Sequence, residues 1–244
     1  MPYNHIMHNA KHDRMVGILG GMGPEATLDL YREIIRLTPA TRDQDHVRVL
    51  IYSNPKIPER TKFIVGQGES PLAALIDSAK LLEKSGAGII AMPCNTAHFF
   101  LPQIRQHLSI PILDMIEETS RKVREMLPDG KNAGLIAAIG TVRSSLYQRA
   151  LAGKGIGLLV PSEDDQRSIQ AGIARVKAGT ANRQTKETFQ SIGNHLVQAG
   201  AAAIILGCTE LPLAFEPNEV CYPCVNSTRA LAEAAVDWAL GNGE

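Results

Sequence analysis

The chain of 244 residues has few aromatic side chains, 5% in all, with a single Trp. Surfaces that stack nucleic-acid bases are built from such rings. It also lacks a charge imbalance: 25 Lys and Arg stand against 25 Asp and Glu. A net charge of zero gives no electrostatic footprint for nucleic acid or an anionic membrane, so neither is expected as a partner. Four cysteines in a chain of this length do not make a disulfide framework, and a reducing, cytoplasmic setting is expected. No apolar run approaches the roughly 18 residues that cross a bilayer. The opening "MPYNHIMHNAKHDR" has no apolar core of the secretory kind. Nothing beside His5, His8 and His12 fixes a metal geometry, so residues 1–14 are expected as a flexible tail.

What the chain does have is a 44% hydrophobic content arranged in alternating periods. "MVGILGG" predicts a buried strand, and "PEATLDLYREIIRLT" a helix with Pro24 in its first turn. "VRVLIYSN", "GIIAMP" and "IPILDM" predict further strands; "PLAALIDSAKLLEKSGA" and "TAHFFLPQIRQHL" predict helices. The pattern then restarts. "NAGLIAAIG", "IGLLVPS" and "AAIILGC" read as strands. "TVRSSLYQRALAG", with Thr141 as N-cap, and "TKETFQSIGNHLVQAGA" read as helices, and "CYPCVNSTRALAEAAVDWAL" as a short strand with a closing helix. Such alternation predicts an α/β fold with mainly parallel sheets.

The two halves mirror one another. "GAGIIAMPCNTAHFF" and "GAAAIILGCTELPLA" share a Gly-Ala start, an apolar strand, a cysteine and a small polar residue. Gly17 precedes Cys94 by 77 positions, and Gly134 precedes Cys208 by 74. A duplicated α/β unit follows, and open parallel sheets bind ligands beyond the carboxyl ends of their strands. Cys94 and Cys208 stand at those ends, each before a helix N-terminus, which would hold a thiol pKa down.

Other motifs carry less. Gly21-x-Gly23-x-x-Ala26 fits a dinucleotide fingerprint, but the second strand ends in "IYSNP" with no acid for a ribose, and Pro24 removes an N–H from the loop. A loop that offers N–H groups to a small carboxylate fits better. Cys221 and Cys224 form one CxxC without a second pair or close histidines, and are read as unreactive thiols. Arg60, in the loop "SNPKIPERT", has the geometry for bidentate carboxylate capture. Lys177 alone is ambiguous.

"GILGGMGPEAT", "SNPKIPERT", "MPCNTAH", "GCTELPL" and "LIAAIGT…LYQRAL" together resemble the aspartate racemase branch of the aspartate/glutamate racemase family, over Met15 to Leu240. The resemblance implies two pseudo-symmetric lobes around a cleft, no cofactor and a homodimer. On it we place one lobe at residues 15–115 plus 221–244 and the other at 116–220. It implies Cys94 and Cys208 as paired bases and Met22, Arg60, Asn95, Thr96, Thr141, Lys177 and Thr209 as substrate-binding, with Asn54 and Glu210 in support. Two positions depart from the family pattern. Ala138 replaces a threonine and would change cleft polarity; Asn226 replaces an aspartate and would affect packing at the last helix.

The expected reaction is cofactor-independent racemisation of aspartate by two thiols on opposite faces of the α-carbon. A racemase of glutamate or of wider acidic range is the nearest alternative. A single-cysteine decarboxylase or isomerase needs only one of the two thiols. A non-catalytic binder of acidic amino acids and a nucleotide-dependent oxidoreductase are the remaining readings.

Overall fold

A computed structural model describes residues 14–215 and 217–241. The first half runs β1 (Met15–Gly20), α1 (Pro24–Leu37), β2 (Arg48–Ser53), α2 (Arg60–Ile64), α3 (Leu72–Lys84) and β3 (Ile89–Ala91). A 3₁₀ stretch, Asn95–Phe100, leads into α4 (Leu101–Arg105), and α5 (Met115–Met126) carries the chain across. The second half runs β4 (Ala133–Ile136), α6 (Ile139–Arg143), α7 (Leu146–Ala152), β5 (Leu158–Leu159), α8 (Glu163–Lys177), α9 (Arg183–Gln198) and β6 (Ala203–Leu206). It ends with α10 (Leu211–Ala214), β7 (Cys224–Asn226) and α11 (Ser227–Leu240).

Two sheets form, in the orders β2-β1-β3 and β5-β4-β6-β7, and every strand pair is parallel. The order β2-β1-β3 recurs as β5-β4-β6. Strands β3, β4 and β6 are buried throughout and β1 nearly so, as befits parallel strands covered on both faces. The α/β class is therefore as expected.

The duplication extends to packing. Gly17 pairs with Ile90, and a Cβ there would stand 2.8 Å from Ala87 Cβ and 3.3 Å from Leu82 Cβ. Gly134 pairs with Ile204, and its Cβ would stand 3.0 Å from Leu196 Cβ and 3.2 Å from Ala201 Cβ. Leu82, Ala87 and Cys94 each precede Leu196, Ala201 and Cys208 by 114 positions. The turns match too: Ala87 N–H donates to Leu82 at 3.1 Å, and Ala201 N–H to Leu196 at 2.9 Å. Each missing side chain lets a helix lie close on its sheet, which fixes the depth at which the next strand ends.

Several expectations are corrected. "IPILDM" makes only one bridge, Ile112 to Ile90, because Asp114 already caps α5 through the N–H groups of Ile116 and Glu117. The helix expected after Cys94 is split: Pro102 has no N–H, and its ring conflicts with the carbonyl four residues back, so a 3₁₀ turn precedes α4. Thr141 lies inside α6 rather than at its N-cap, and Ser145, at positive φ, separates α6 from α7. Residues 221–244 do not all join the first lobe: β7 pairs with β6, helped by Ile204 N–H donating to Pro223 at 2.8 Å. Only α11 returns, seating Leu231, Ala235 and Val236 against Val16, Ile18 and Ile34. Asn226, the family departure, N-caps α11 by accepting from Thr228 and Arg229 N–H groups at 2.9 and 3.3 Å. Arg14, expected in the tail, donates to the Trp238 carbonyl at 2.9 Å and lies over its ring. His5, His8 and His12 lie outside the described residues.

Gly17→Ala and Gly134→Ala should each destabilise the fold by about 1–3 kcal/mol through overpacking, measured by urea unfolding; unchanged midpoints would contradict the shared packing role.

Candidate active site

Between the two sheets lies a cavity of about 430 Å³. From the first half it takes Gly21–Ala26, Pro55, Ile57, Glu59 to Thr61 and Cys94 to Thr96; from the second, Ala138, one face of α8, Gly207 to Glu210 and Leu213. The glycine-rich loop reaches the cavity because Gly21 has φ 92° and sits directly on the Asn54 backbone, where no side chain fits. Its N–H is held by Thr27 Oγ1 at 2.9 Å. Residues Gln170, Ile173, Ala174 and Lys177 recur at helical spacing, so a single face of α8 walls the opposite side.

Cys94 follows β3 and Cys208 follows β6 within a few residues, and both line this cavity as buried free thiols. Cys94 N-caps the 3₁₀ stretch. Cys208 opens the turn into α10, whose N-cap is Glu210, and the Cys208 carbonyl accepts from Leu211 N–H at 3.0 Å. The first N–H groups of such turns have no intrahelical carbonyl to bond. Met22, Arg60, Asn95, Thr96, Lys177, Thr209 and Glu210 line the same space. Thr141 does not; it is fully buried behind Thr96, with the two hydroxyls 2.8 Å apart. Asn54 also stands outside, bonding Ser78 Oγ at 3.4 Å and the Lys56 N–H at 3.0 Å.

A buried polar lattice holds the Cys94 turn. Asn95 Nδ2 donates to Ser227 Oγ at 3.0 Å, and Asn95 Oδ1 accepts from Tyr147 OH at 2.6 Å. Ser227 in turn donates to the Leu206 carbonyl at 2.8 Å, next to the Cys208 loop. Burial pushes the Tyr147 phenol pKa up, so it remains a donor. Both polar ends of Asn95 are thus engaged within the protein. The tautomer of His98 follows from its partners. Met115 N–H donates to Nε2 at 3.0 Å, so Nδ1 carries the hydrogen and donates to the Cys94 carbonyl at 2.9 Å. Burial lowers the His98 pKa, the nearby Asp114 only partly opposing it, and the neutral ring is what both bonds require.

The Cys208 thiol behaves opposite to the expectation of a depressed pKa. Its Sγ donates to Glu210 Oε2 at 2.9 Å. Burial and then the Glu210 charge push its pKa well up, and Lys177 opposes them only in part. A four-residue helix, α10, supplies too small a dipole to reverse this. Lys177 Nζ sits 3.6 Å from Glu210 Oε1. Burial pulls the Lys177 pKa down, but Glu210, Cys208 and Cys94 outweigh it, and the net shift is upward. Arg60 is less available than a solvated guanidinium: Nη1 donates to the carbonyls of Ile57 and Pro58, and Nη2 to Met22 at 3.4 Å. Its Nε is buried without a partner among the described residues. Cys224 is pushed up to about 12 by burial and Cys221 is exposed; neither lines the cavity. Among the described residues, no three His, Cys, Asp or Glu side chains gather to hold a metal, and no helix is long and apolar enough to cross a membrane.

Sequence reasoning named Lys177 but missed α8 itself and its other lining residues, Gln170, Ile173, Ala174 and Val176, although Ser162 before Glu163-Asp164-Asp165 is a helix-start signal. It also missed His98, Tyr147 and Ser227, whose roles come from long-range partners.

Fold and site together define a two-lobed α/β enzyme with one cysteine from each repeat on a shared cleft. The Asp/Glu/hydantoin racemase family model matches residues 19–235, and the chain belongs to that family, as an amino-acid racemase. It is 32% identical over 229 residues to the broad specificity amino-acid racemase RacX of Bacillus subtilis, covering 91% of this chain and 96% of that one. The Picrophilus torridus aspartate racemase superposes with a TM-score of 0.82 at 32% identity, over 93% and 94% of the two chains. A Francisella tularensis glutamate racemase in complex with D-glutamate shares the fold at a TM-score of 0.70 and 16% identity, over 95% and 82%.

Since His98 must be neutral when folded, its contribution is present above its unfolded pKa of about 6.5 and is lost as pH falls below that value. Urea unfolding from pH 7.5 to 5.0 should show this slope, and His98→Gln should flatten it; an equal slope in the variant would contradict the assignment.

Proposed function

We propose that the protein interconverts L- and D-aspartate without a cofactor, with Cys94 and Cys208 as the two proton-transfer groups. The observation that carries the reading is the arrival of both thiols, from equivalent ends of two repeated sheets, in one cavity. An α-hydrogen is a very weak acid, and racemisation removes it from one face and returns a proton to the other. Two fixed groups on opposite sides do this without a moving base.

Cys208, with its raised pKa and its bond to Glu210, is suited to begin as the acid. Cys94, in the thiolate form, takes the α-proton. The electron pair of the C–H bond passes into a carbanion spread onto the α-carboxylate, stabilised by the opening N–H groups of the two cysteine turns. The Cys208 S–H bond then breaks and its proton goes to the opposite face. Product leaves with Cys94 protonated and Cys208 as thiolate, the mirror of the starting state. In this reading the Thr96 and Thr209 hydroxyls hold the α-carboxylate and ammonium, and Met22 lies in the loop over them. A side-chain carboxylate would meet Lys177 and satisfy the unpartnered Arg60 Nε. The working form in this reading is a cytoplasmic homodimer, where a reducing setting keeps both thiols free.

A second reading is a wider amino-acid range. Ile57, Ile173, Val176 and Leu213 line the cavity beside the charged groups, and RacX bears a broad-specificity name. A methylene is worth only about 1–3 kcal/mol in such a pocket. A chiral assay of each proteinogenic amino acid separates the two readings.

Cys94→Ala and Cys208→Ala should each lower racemisation of aspartate by about a thousandfold or more; near wild-type turnover in either variant would remove the two-base mechanism. Glu210→Gln removes the charge that helps hold the Cys208 proton. The alkaline limb of kcat/KM should therefore move to lower pH, and a limb that stays or rises would contradict Cys208 as the starting acid.

A further inference from the structure

One polar side chain on the cleft has no part in the two-base step. Gln170 lies on the face of α8 that walls the cavity, one turn before Ile173 and Ala174 and two turns before Lys177. Its Oε1 accepts from the Ile139 N–H at 2.9 Å. That partner can only donate, so the bonded atom is the amide oxygen and the orientation of the amide is settled. The NH2 group has no partner among the described residues. Gln166, one turn earlier, uses the other end of its amide: Nε2 donates to the Ala137 carbonyl at 3.0 Å. The two glutamines straddle Ala138, which lines the cavity with a methyl group. The loop is also held from its other side. A Cβ on Gly140 would stand 2.8 Å from Thr61 Oγ1 and 2.9 Å from Thr96 Cγ2. The start of α6 is thus wedged against α2 and the Cys94 turn, and the Gln170 amide is fixed beside them.

We infer that the Gln170 NH2 group determines specificity: it donates to an oxygen at the end of the substrate's side chain, and so selects amino acids whose side chain ends in a carboxylate or a carboxamide. The inference rests on the reading of this cavity as the racemase site. The anchor to Ile139 needs only an oxygen. Helix α6 has no side-chain cap of its own, Ala138 standing at its N-cap, and a carboxylate would accept the Ile139 hydrogen more strongly than an amide does. It would also set a negative charge on the wall that an acidic side chain must face. Glutamine supplies the oxygen without the charge and leaves two hydrogens to donate. Arg60 and Lys177 supply charge for a carboxylate, whereas an amide held at its other end fixes where the accepting oxygen must lie. A side chain that ends in a methyl or an ammonium group would leave those hydrogens unpaired once water is expelled, and a site built to bond an oxygen rejects a substrate without one.

Two variants separate this role from that of a structural anchor. Gln170→Glu keeps an oxygen for Ile139 and loses the donor; Gln170→Met is uncharged and loses both. Steady-state racemisation of aspartate should show KM raised by about tenfold or more in each variant, with kcat within about threefold of wild type. The rise in Gln170→Glu should persist in about 0.5 M salt, which screens a distant charge but does not restore a lost contact. Thermal melts should place Gln170→Glu near wild type, since the anchor is kept. If glutamate or a side-chain amide proves to be the preferred substrate, the same rise is expected for it, which tells failure of the aspartate reading apart from failure of this one. The proposal is overturned by a wild-type KM in Gln170→Glu, by a rise that salt abolishes, or by a loss confined to kcat. An unfolded Gln170→Glu protein, or a preferred substrate whose side chain carries neither carboxylate nor carboxamide, would overturn it equally.

Discussion

The side chain of Asn95 is a buried point at which the two halves of the molecule are held to each other. It donates to Ser227 at the start of α11 and accepts from Tyr147 on α7, both buried. The residue before it is Cys94, and Ser227 donates onward to Leu206, two residues before Cys208. The two cysteine loops are therefore joined through hydrogen bonds that solvent cannot replace. An unsatisfied member of such a lattice costs about 1–3 kcal/mol, so the arrangement is all or nothing. Thr96 and Thr141 repeat the device across the same junction, and Gly140 lets α2 close on α6 there, with Thr61 occupying the space a side chain would need.

Within this repeated frame the electrostatics are unequal. Cys208 has a carboxylate in hydrogen-bonding reach and a lysine behind it. Cys94 instead has its carbonyl held by a neutral histidine. Symmetry of the backbone delivers two thiols to one place, and the side chains make their surroundings unequal. The proposed two-base mechanism uses both: equal reach to the two faces of a carbon, and unequal surroundings for the two sulfurs.

The repeated strands, the cleft and the two cysteines were legible in the sequence because they depend on short apolar periods and on a motif that occurs twice. What was not legible depends on partners distant in the chain. Thr141 lines no cavity because Thr96 stands before it. Arg60 is partly engaged by the carbonyls of its own loop and of Met22, which no local pattern announces. The rise in the Cys208 pKa comes first from burial, which the sequence does not specify, and then from Glu210, two residues on. Pro102 did carry a readable signal: it limits how far a helix can extend back toward Cys94. The assignment of 221–226 failed for a different reason. Three residues of strand join whichever sheet offers an open edge, and β6 offered it.

The central claim is that two sulfurs flank one α-carbon, and the direct measurement is the fate of the α-hydrogen in deuterated water. Aspartate of one configuration is supplied, and α-deuterium is followed in both enantiomers during the first few per cent of turnover. Two separate groups predict product carrying one solvent-derived deuterium while recovered substrate remains almost unlabelled. Product that retains the original hydrogen, or substrate labelled as fast as product appears, would mean that one group serves both faces and would contradict the account.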